Sequence, residues 1–262
     1  MDQLLPTIHT DITDAQLDEL YAWPDLPQPG SWVRANMVST IDGAAASPDG
    51  LSEGISSPAD RRVFGRLRGL ADVVLVGAGT ARSEGYRPAR IKQDFADRRA
   101  ALGQAVVPVI AIVSRSLDVD LSLPLFTEPL VPTIVITSMG ADPRRLAATQ
   151  AVCDVITCGD DAVDLEAAIT ELVERGLTRI HSEGGPRLLA DLVAADLLDE
   201  LLLTMSPNLA GGSFLGTDSV ARILAGAALP SGVRRVELHH LLHEDSNLFA
   251  SYRFESTKSK AE

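Results

Sequence analysis

The chain has 262 residues, 45% of them hydrophobic and 23% charged, with a net charge of −13 at pH 7. That length suits one large α/β domain or two small ones, and the acidic balance argues against general affinity for nucleic acid. No apolar run approaches the ~20 residues of a membrane span, the acidic start Met1-Asp2-Gln3 lacks the order of a secretory signal, and Cys153 and Cys158 make no disulfide framework. A cytoplasmic protein is expected.

Residues 1–30 read as a lead-in. Thr13-x-x-Gln16 has the form of a capping box for a short helix through Tyr21, and Pro24, Pro27 and Pro29 stop any helix after it. Residues 32–38 read as the first core strand, Ser39-Thr-Ile-Asp-Gly43 as a turn out of it, and 47–54 as a polar loop. Ser57-Pro58-Ala59-Asp60 is a helix start, with Ser as N-cap, Pro in the first position and Asp in the first turn. Val63, Phe64, Leu67 and Leu70 continue it as an apolar stripe. Arg61, Arg62, Arg66, Arg68, Arg82, Arg87 and Arg90 cluster here. Arginine suits bidentate contact with phosphate, although Arg61, Arg62 and Arg66 read as a solvated helix face.

The pattern turns on residues 72–86. Residues 73–76 form an aliphatic run of the kind buried on both faces of a parallel sheet. The run breaks at Gly77-Ala78-Gly79, small residues that let a phosphate or a ring approach backbone N–H groups. Thr80 is the candidate N-cap of a short helix ending near Gly85. Apolar strands follow over 107–113, 133–137, 152–156, 178–182 and 201–205. They alternate with helices that start around Pro143, run over 165–175 before Gly176, and run over 185–194. Such alternation implies βαβ units, right-handed crossovers and a mostly parallel sheet. Residues 233–242 and 247–255, joined by Glu244-Asp245-Ser246, read as an antiparallel hairpin closing one edge. Its Val236, Leu238, Leu241, Leu242, Leu248 and Phe249 make an apolar edge of the kind that pairs with a second copy, so a homodimer is expected. Residues 31–255 read as a single domain and 256–262 as a disordered polar tail.

A second strand–Gly–helix junction stands at Ile180-His-Ser-Glu-Gly-Gly-Pro-Arg-Leu188. Two such turns at the carboxyl ends of strands make a crevice in which a dinucleotide fits. Glu183 lies at this turn, where a carboxylate accepts from N–H or ribose groups or relays a proton. Ser182 nearly satisfies the Gly-x-Ser-x-Gly elbow of α/β-hydrolases, but Ile180 replaces the first Gly, so a hydrolase is a remote alternative. His239, His240 and His243 sit together, yet neighbouring strand residues point to opposite faces. They read as surface histidines, and no metal site is expected.

In order along the chain stand Asn36-Met-Val-Ser-Thr-Ile-Asp-Gly43, Ser57-Pro-Ala-Asp-Arg-Arg62, Leu67-Arg68, Ala71-Asp72, Val76-Gly-Ala-Gly-Thr80, Glu84-x-Tyr86, Ser182-Glu-Gly-Gly-Pro186, Asp199-Glu-Leu-x-Leu203 and Ser206-Pro207. This set resembles the reductase half of the riboflavin-biosynthesis deaminase–reductases over about residues 30–255. The resemblance implies a dihydrofolate reductase-like α/β fold: a mostly parallel central sheet, helices on both faces and the C-terminal antiparallel hairpin. It implies NADPH-dependent reduction of 5-amino-6-(5-phosphoribosylamino)uracil, or its diaminopyrimidine analogue, to the ribityl product. The acceptor would be C1′ of the ring-opened ribosylimine.

By the same resemblance the cofactor is held by Val38, Gly77, Gly79, Thr80, Glu84, Ser114, Gly184, Gly185, Pro186, Arg187 and Leu188, with Glu84 where bacterial members carry Asp. Ser114-Arg115 also ends a strand where contacts to a ribose 2′-phosphate fall. Asn36, Ser52, Arg68 and Glu183 would face the substrate, Arg68 at its 5′-phosphate and Glu183, or a water it holds, as proton source. Asp60 stands on the helix where dihydrofolate reductases carry the acid that holds the pteridine ring, which makes it a second catalytic candidate and a dihydropterin reductase the main alternative. The zinc signature of the deaminase half is not found in the chain, and the resemblance implies a stand-alone reductase.

Overall fold

The computed structural model describes residues 1–26, 30–211, 221–226, 229–230 and 232–255, so Pro27, Pro29 and the tail expected over 256–262 lie outside the described residues. In chain order the elements are β1 (Asp2–Leu5), α1 (Asp14–Leu20), β2 (Trp32–Thr40), α2 (Pro58–Leu70), β3 (Val73–Gly77), α3 (Ala78–Ser83), α4 (Ala96–Ala101), β4 (Val109–Val113) and α5 (Pro124–Thr127). They continue as β5 (Ile134–Thr137), α6 (Pro143–Gln150), β6 (Asp154–Thr157), α7 (Leu165–Glu174), β7 (Arg179–Ser182), α8 (Pro186–Ala194), β8 (Glu200–Ser206), β9 (Glu237–Glu244) and β10 (Asn247–Arg253). Among the described residues no helix is long and apolar enough to cross a membrane.

Local chemistry sets most of these boundaries. The Thr13 hydroxyl accepts from the Gln16 amide at 3.3 Å while the Gln16 side chain accepts from the Thr13 amide at 2.9 Å, the reciprocal box expected for α1. Ser57 Oγ accepts from the Asp60 amide at 3.1 Å and opens α2. Asp142 and Asp164 cap α6 and α7, and Gly176, at φ +80°, closes the latter. Two strands start later than their apolar runs. β4 begins at Val109 because Pro108 brings no N–H to a ladder. β6 begins at Asp154 because the amides of Val152 and Cys153 still donate to Thr149 at the end of α6.

The chain divides into two compact units: Met1–Ala22, Val33–Leu67 and Gly184–Glu262 in the first, Trp23–Trp32 and Arg68–Glu183 in the second. Strands of the first unit run in the order β1-β9-β10-β8-β2, antiparallel except for β8 with β2. The β9–β10 hairpin turns on Asp245 and Ser246, both at positive φ, the geometry that matches strand twist. β1 pairs Asp2 with His243 and Gln3 with Leu242. The chain's own N-terminus therefore covers the edge that the sequence left open, and Leu242 and Phe249 are buried. The case for a dimer through an uncovered β9 edge falls with that pairing.

Several charged groups among the described residues of this unit are paired. Arg34 Nε donates to Glu200 at 2.6 Å, Arg34 also donates to the Tyr21 carbonyl at 2.8 Å, and Ser251 Oγ donates to Glu200 at 2.5 Å, tying β2, β8, β10 and the end of α1. Arg66 and Arg62, read from sequence as a solvated face, instead pair with Asp18 and with Asp14 and Glu244. Acidic partners on α1 and at the end of β9 turn that face inward. His240 is not a surface histidine either: it is 1% exposed, edge-on to the buried Tyr21 ring at 5.1 Å, and among the described residues neither ring nitrogen has a hydrogen-bond partner.

Strands of the second unit run β7-β3-β4-β5-β6, all parallel. β3 lies inside this sheet, and Val73 to Val76 are at most 1% exposed, as a strand covered on both faces requires. Asp72 accepts from the Arg179 amide at 2.8 Å, the Thr178 amide at 3.1 Å and Gln104 Nε2 at 2.6 Å, locking the entrance of β3 to that of β7. The end of α2 is capped by side chains: Arg99 donates to Gly69 and Ala71 carbonyls at 3.0 and 2.6 Å, and Trp23 Nε1 to Leu70 at 2.8 Å.

His240 makes acid stability testable. Burial is the largest cause that pulls its pKa down, to about 4, with His239, Arg34 and Arg253 adding to the fall and Glu200 opposing it. A depressed histidine pKa contributes stability that is present above the unfolded value near 6.5 and is lost as pH falls through 4. The natural chain should lose roughly 2–3 kcal/mol more than His240→Phe between pH 7 and pH 4. Urea unfolding of both at each pH measures this, and parallel losses would remove His240 as the cause.

Candidate functional site

The second unit brings several of the expected residues to one end of its sheet. β3, β4 and β7 are neighbouring parallel strands, so Gly77, Ser114 and Glu183 all leave at carboxyl ends, where α/β sheets bind ligands. Glu183 extends the pairing, its amide donating to the Leu75 carbonyl at 2.9 Å. Gly77, with φ −72° and ψ 141°, caps α3, so Thr80 lies within that helix and not at its N-cap. Small residues reach α3 early because Gly77 supplies the extended cap geometry itself. Glu84 ends α3, Gly85 takes φ +62°, and the Tyr86 amide returns to the Ala81 carbonyl at 2.9 Å. Ser114 is buried, with its amide on the Ile136 carbonyl at 2.9 Å, and Arg115 beyond it is exposed.

Glu183 is the centre of the site. Arg68 grips it with two parallel bonds, Nε to Oε1 at 2.6 Å and Nη2 to Oε2 at 2.7 Å. The Tyr86 hydroxyl donates to Oε2 at 2.5 Å, and the Arg68 guanidinium lies over the Tyr86 ring at 5.3 Å. His181 Nε2 stands 3.8 Å from Oε1. Burial alone would push the Glu183 carboxyl up. The charge and hydrogen bonds of Arg68, then the His181 charge and the Tyr86 bond, outweigh burial and hold it below the ordinary glutamate value. The Tyr86 phenol is pushed well above its ordinary value, first by burial and then by the Glu183 charge. At neutral pH the pair is thus a carboxylate accepting from a phenol. Tyr86 had no assigned role in the sequence; its place in the Glu84-x-Tyr86 motif was the only signal for it.

The first unit holds the remaining candidates. Asn36 and Val38 lie on one face of β2, and Asn36 Nδ2 donates to the Leu202 carbonyl at 3.4 Å. The Ser52 carbonyl accepts from the amides of Ile55 and Ser56. Asp60 is buried and accepts from Ser56 Oγ at 2.6 Å at the start of its own helix. Gly184, Gly185 and Pro186 lead into α8 with Gly185 as cap, Leu188 buried and Arg187 exposed. Among the described residues no group of His, Cys, Asp and Glu could hold a metal ion. Ser182 is fully buried, which withholds its hydroxyl from any acyl substrate and removes the hydrolase alternative.

The residues fit a nicotinamide dinucleotide in two respects. A Cβ built on Gly79 meets nothing within 4 Å, so the first turn of α3 has open space beside it. The exposed Arg115, just beyond the buried Ser114, offers a cation at the next strand end.

The family described as RibD C-terminal domain matches residues 31–227. The 2,5-diamino-6-ribosylamino-4(3H)-pyrimidinone 5′-phosphate reductase of Archaeoglobus fulgidus is 26% identical over 181 residues, 69% of this chain and 82% of that protein. The riboflavin biosynthesis protein RibD of Bacillus amyloliquefaciens is 29% identical over 184 residues; the match covers 70% of this chain and 47% of that longer protein. The crystal structure of a pyrimidine reductase-like protein from Corynebacterium diphtheriae aligns with a TM-score of 0.77 at 27% identity, over 90% of this chain and 98% of that one. The fold expected from sequence, α/β with a mostly parallel sheet and an antiparallel edge, is the fold found.

The two Gly turns should respond differently to substitution. Gly184 has φ +80°, and a Cβ there would lie 2.8 Å from Met37 Sδ, whereas Gly79 has open space and no positive φ. Gly184→Ala should cost about 1–3 kcal/mol, so a larger side chain there disturbs the fold as well as any ligand. Gly79→Ala should be neutral or add up to about 1 kcal/mol through helix propensity. Thermal unfolding of both variants reads this difference, and equal losses would contradict it.

Proposed function

This chain belongs to the RibD C-terminal domain family, and from that membership we propose that it reduces the ribosyl group of a phosphoribosylated pyrimidine to a ribityl chain. Its relatives are pyrimidine reductases of riboflavin biosynthesis, and that reading stands ahead of a dihydrofolate reductase. The observation that carries the proposal to residues is the carboxylate of Glu183 at the carboxyl end of β7, beside the Gly77 turn of β3, with Arg68 and Tyr86 closed on it. The substrate is 5-amino-6-(5-phosphoribosylamino)uracil or the diaminopyrimidinone phosphate for which the Archaeoglobus relative is named. Both are flat, polar rings carrying a ribose 5-phosphate.

NADPH is the proposed cofactor, and when bound it supplies the hydride. Gly77, Gly79, Thr80, Glu84, Ser114, Val38, Gly184, Gly185, Pro186, Arg187 and Leu188 are the residues proposed to hold it. Arg115 is the cation for a ribose 2′-phosphate. Asn36, Ser52, Arg68 and Glu183 are proposed to meet the substrate. Glu183 is anionic, so its part is to accept from a substrate N–H or O–H and to orient the water that delivers a proton. Asp60 is already engaged by Ser56, which suits a carboxylate holding its own helix start. We take residues 31–255 to act as one reductase domain, in the cytoplasm and as a homodimer. The free thiols of Cys153 and Cys158 agree with a reducing compartment, and the exposed Leu4 and Leu5 on the outermost strand β1 offer an edge for pairing.

Purified protein should oxidise NADPH with a phosphoribosyl pyrimidine at least ~10-fold faster in kcat/KM than NADH, about 1.4 kcal/mol. Equal use of the two cofactors would count against Arg115, and faster turnover of dihydrofolate would overturn the substrate class.

Arg68→Ala should lower kcat/KM by at least ~10-fold, because it strips a buried carboxylate of its bidentate partner. Asp60→Asn should stay within about 3-fold, since its amide oxygen still accepts from Ser56. The reverse ranking in steady-state assays would return Asp60 to the chemistry.

A further inference from the structure

We propose that Tyr86 is a positioning residue for the reductase reaction, fixing both members of the Arg68–Glu183 pair from the turn that follows α3. The proposal rests on the reading of Glu183 as part of the substrate site.

Three observations carry it. The Tyr86 hydroxyl donates to Oε2 of Glu183 at 2.5 Å, so that oxygen holds a phenol and an Arg68 Nη2 donor together. The Tyr86 ring underlies the Arg68 guanidinium at 5.3 Å, which restrains the other partner by a different interaction. And Tyr86 reaches this position from a third element. α2 supplies Arg68, β7 leads to Glu183, and the Gly85 turn, at φ +62° with the Tyr86 amide bonded back to Ala81, aims the ring at them. A surface tyrosine needs none of this. Half-buried and bonded at both ends, Tyr86 removes the rotational freedom that a glutamate at a strand terminus otherwise keeps.

The chemistry gives it a defined task. A carboxylate has two oxygens and about four lone-pair positions. Tyr86 adds a second donor to Oε2, while Oε1 faces Arg68 Nε and, at 3.8 Å, His181. The substrate donor is therefore directed to one oxygen in one orientation. The phenol also stabilises the charged form of Glu183, together with Arg68 and His181, the charged and titratable groups that face it.

The test is Tyr86→Phe, which keeps the ring beneath Arg68 and removes only the hydroxyl, compared with Glu183→Gln and the double variant. Tyr86→Phe is expected to keep its melting temperature and its NADPH affinity. It should lose about 10- to 150-fold in kcat/KM, a loss of one hydrogen bond to a charged group. The acid limb of its pH profile should move to higher pH, because the carboxylate has lost a donor. In the Glu183→Gln background the same substitution should change little.

An unmoved acid limb with normal kcat/KM, while Glu183→Gln is crippled, overturns the role of Tyr86 and leaves the site standing. A Glu183→Gln enzyme as active as the natural one removes the site reading and the proposal with it. Equal losses in both backgrounds mean that Tyr86 acts other than through Glu183, which also overturns the proposal. Should Tyr86→Phe fail to fold, a ring-fluorinated tyrosine placed at position 86 keeps the shape and strengthens the donor. The acid limb must then move to lower pH, and a stationary limb counts against the role.

Discussion

The bidentate contact between Arg68 and Glu183 is the constraint on which the rest of the second unit bears. Both groups are charged and largely shielded from water, and either one alone would be costly to bury. Their pairing is tolerable only because the geometry is fixed from both sides. Arg68 lies at the end of α2, and the carbonyls just beyond it, on Gly69, Leu70 and Ala71, are taken by Arg99 and Trp23. Glu183 lies where β7 ends, and the start of β7 is bound to Asp72 through the Thr178 and Arg179 amides. Asp72 stands between the end of α2 and β3. Gln104 donates both to the Leu70 carbonyl at 3.3 Å and to Asp72 at 2.6 Å, so the end of the helix and the start of the strand that carries its partner are tied together. Arg99, apart from any chemistry, sets where Arg68 can reach.

The first unit uses the same device for a different end. Arg34 and Glu200 face each other in register across parallel β2 and β8, with Ser251 adding a donor from antiparallel β10. A slip of one residue in any of the three strands would leave a buried charge unpaired, so the pair specifies register where the apolar residues alone would allow alternatives. Loss of one partner here should be felt in folding, whereas loss of Arg68 is felt first at Glu183.

Much of this was legible in the sequence and some was not, for identifiable reasons. Signals at helix ends are local, so Thr13, Ser57, Pro143 and Gly176 announced their helices within a residue or so. β3 announced itself because a strand covered on both faces is apolar at every position. β1 could not be read, because Asp2–Leu5 is short and is a strand only through its pairing with β9 at the far end of the chain. Arg62 and Arg66 were misread for the same reason: the aspartates of α1 that bring them inside lie 48 residues away. His240 looked like its exposed neighbour His239 until Tyr21 was found against it. In the site, the Gly turns and Glu183 carry their own signal, but Tyr86 acquires meaning only from a carboxylate 97 residues further on.

The charge state of Glu183 bears on how a proton reaches the product. Hydride addition at C1′ of the ring-opened ribosylimine would leave the imine nitrogen needing a proton. Glu183 is a poor source, because Arg68, His181 and Tyr86 all favour its anion. Tyr86 is poor as well, because burial and the adjacent carboxylate oppose the tyrosinate that it would become. The pair instead resembles a fixed acceptor. It can hold a substrate hydroxyl or a water by its hydrogen and so aim the other atoms of that group, which is a task of orientation and not of acidity. In the proposed reaction the proton would then come from water, and the protein would contribute by deciding where that water sits. Such a site tolerates no loosening of its carboxylate, which is the physical reason for spending an arginine, a tyrosine ring and a phenolic hydroxyl on one side chain.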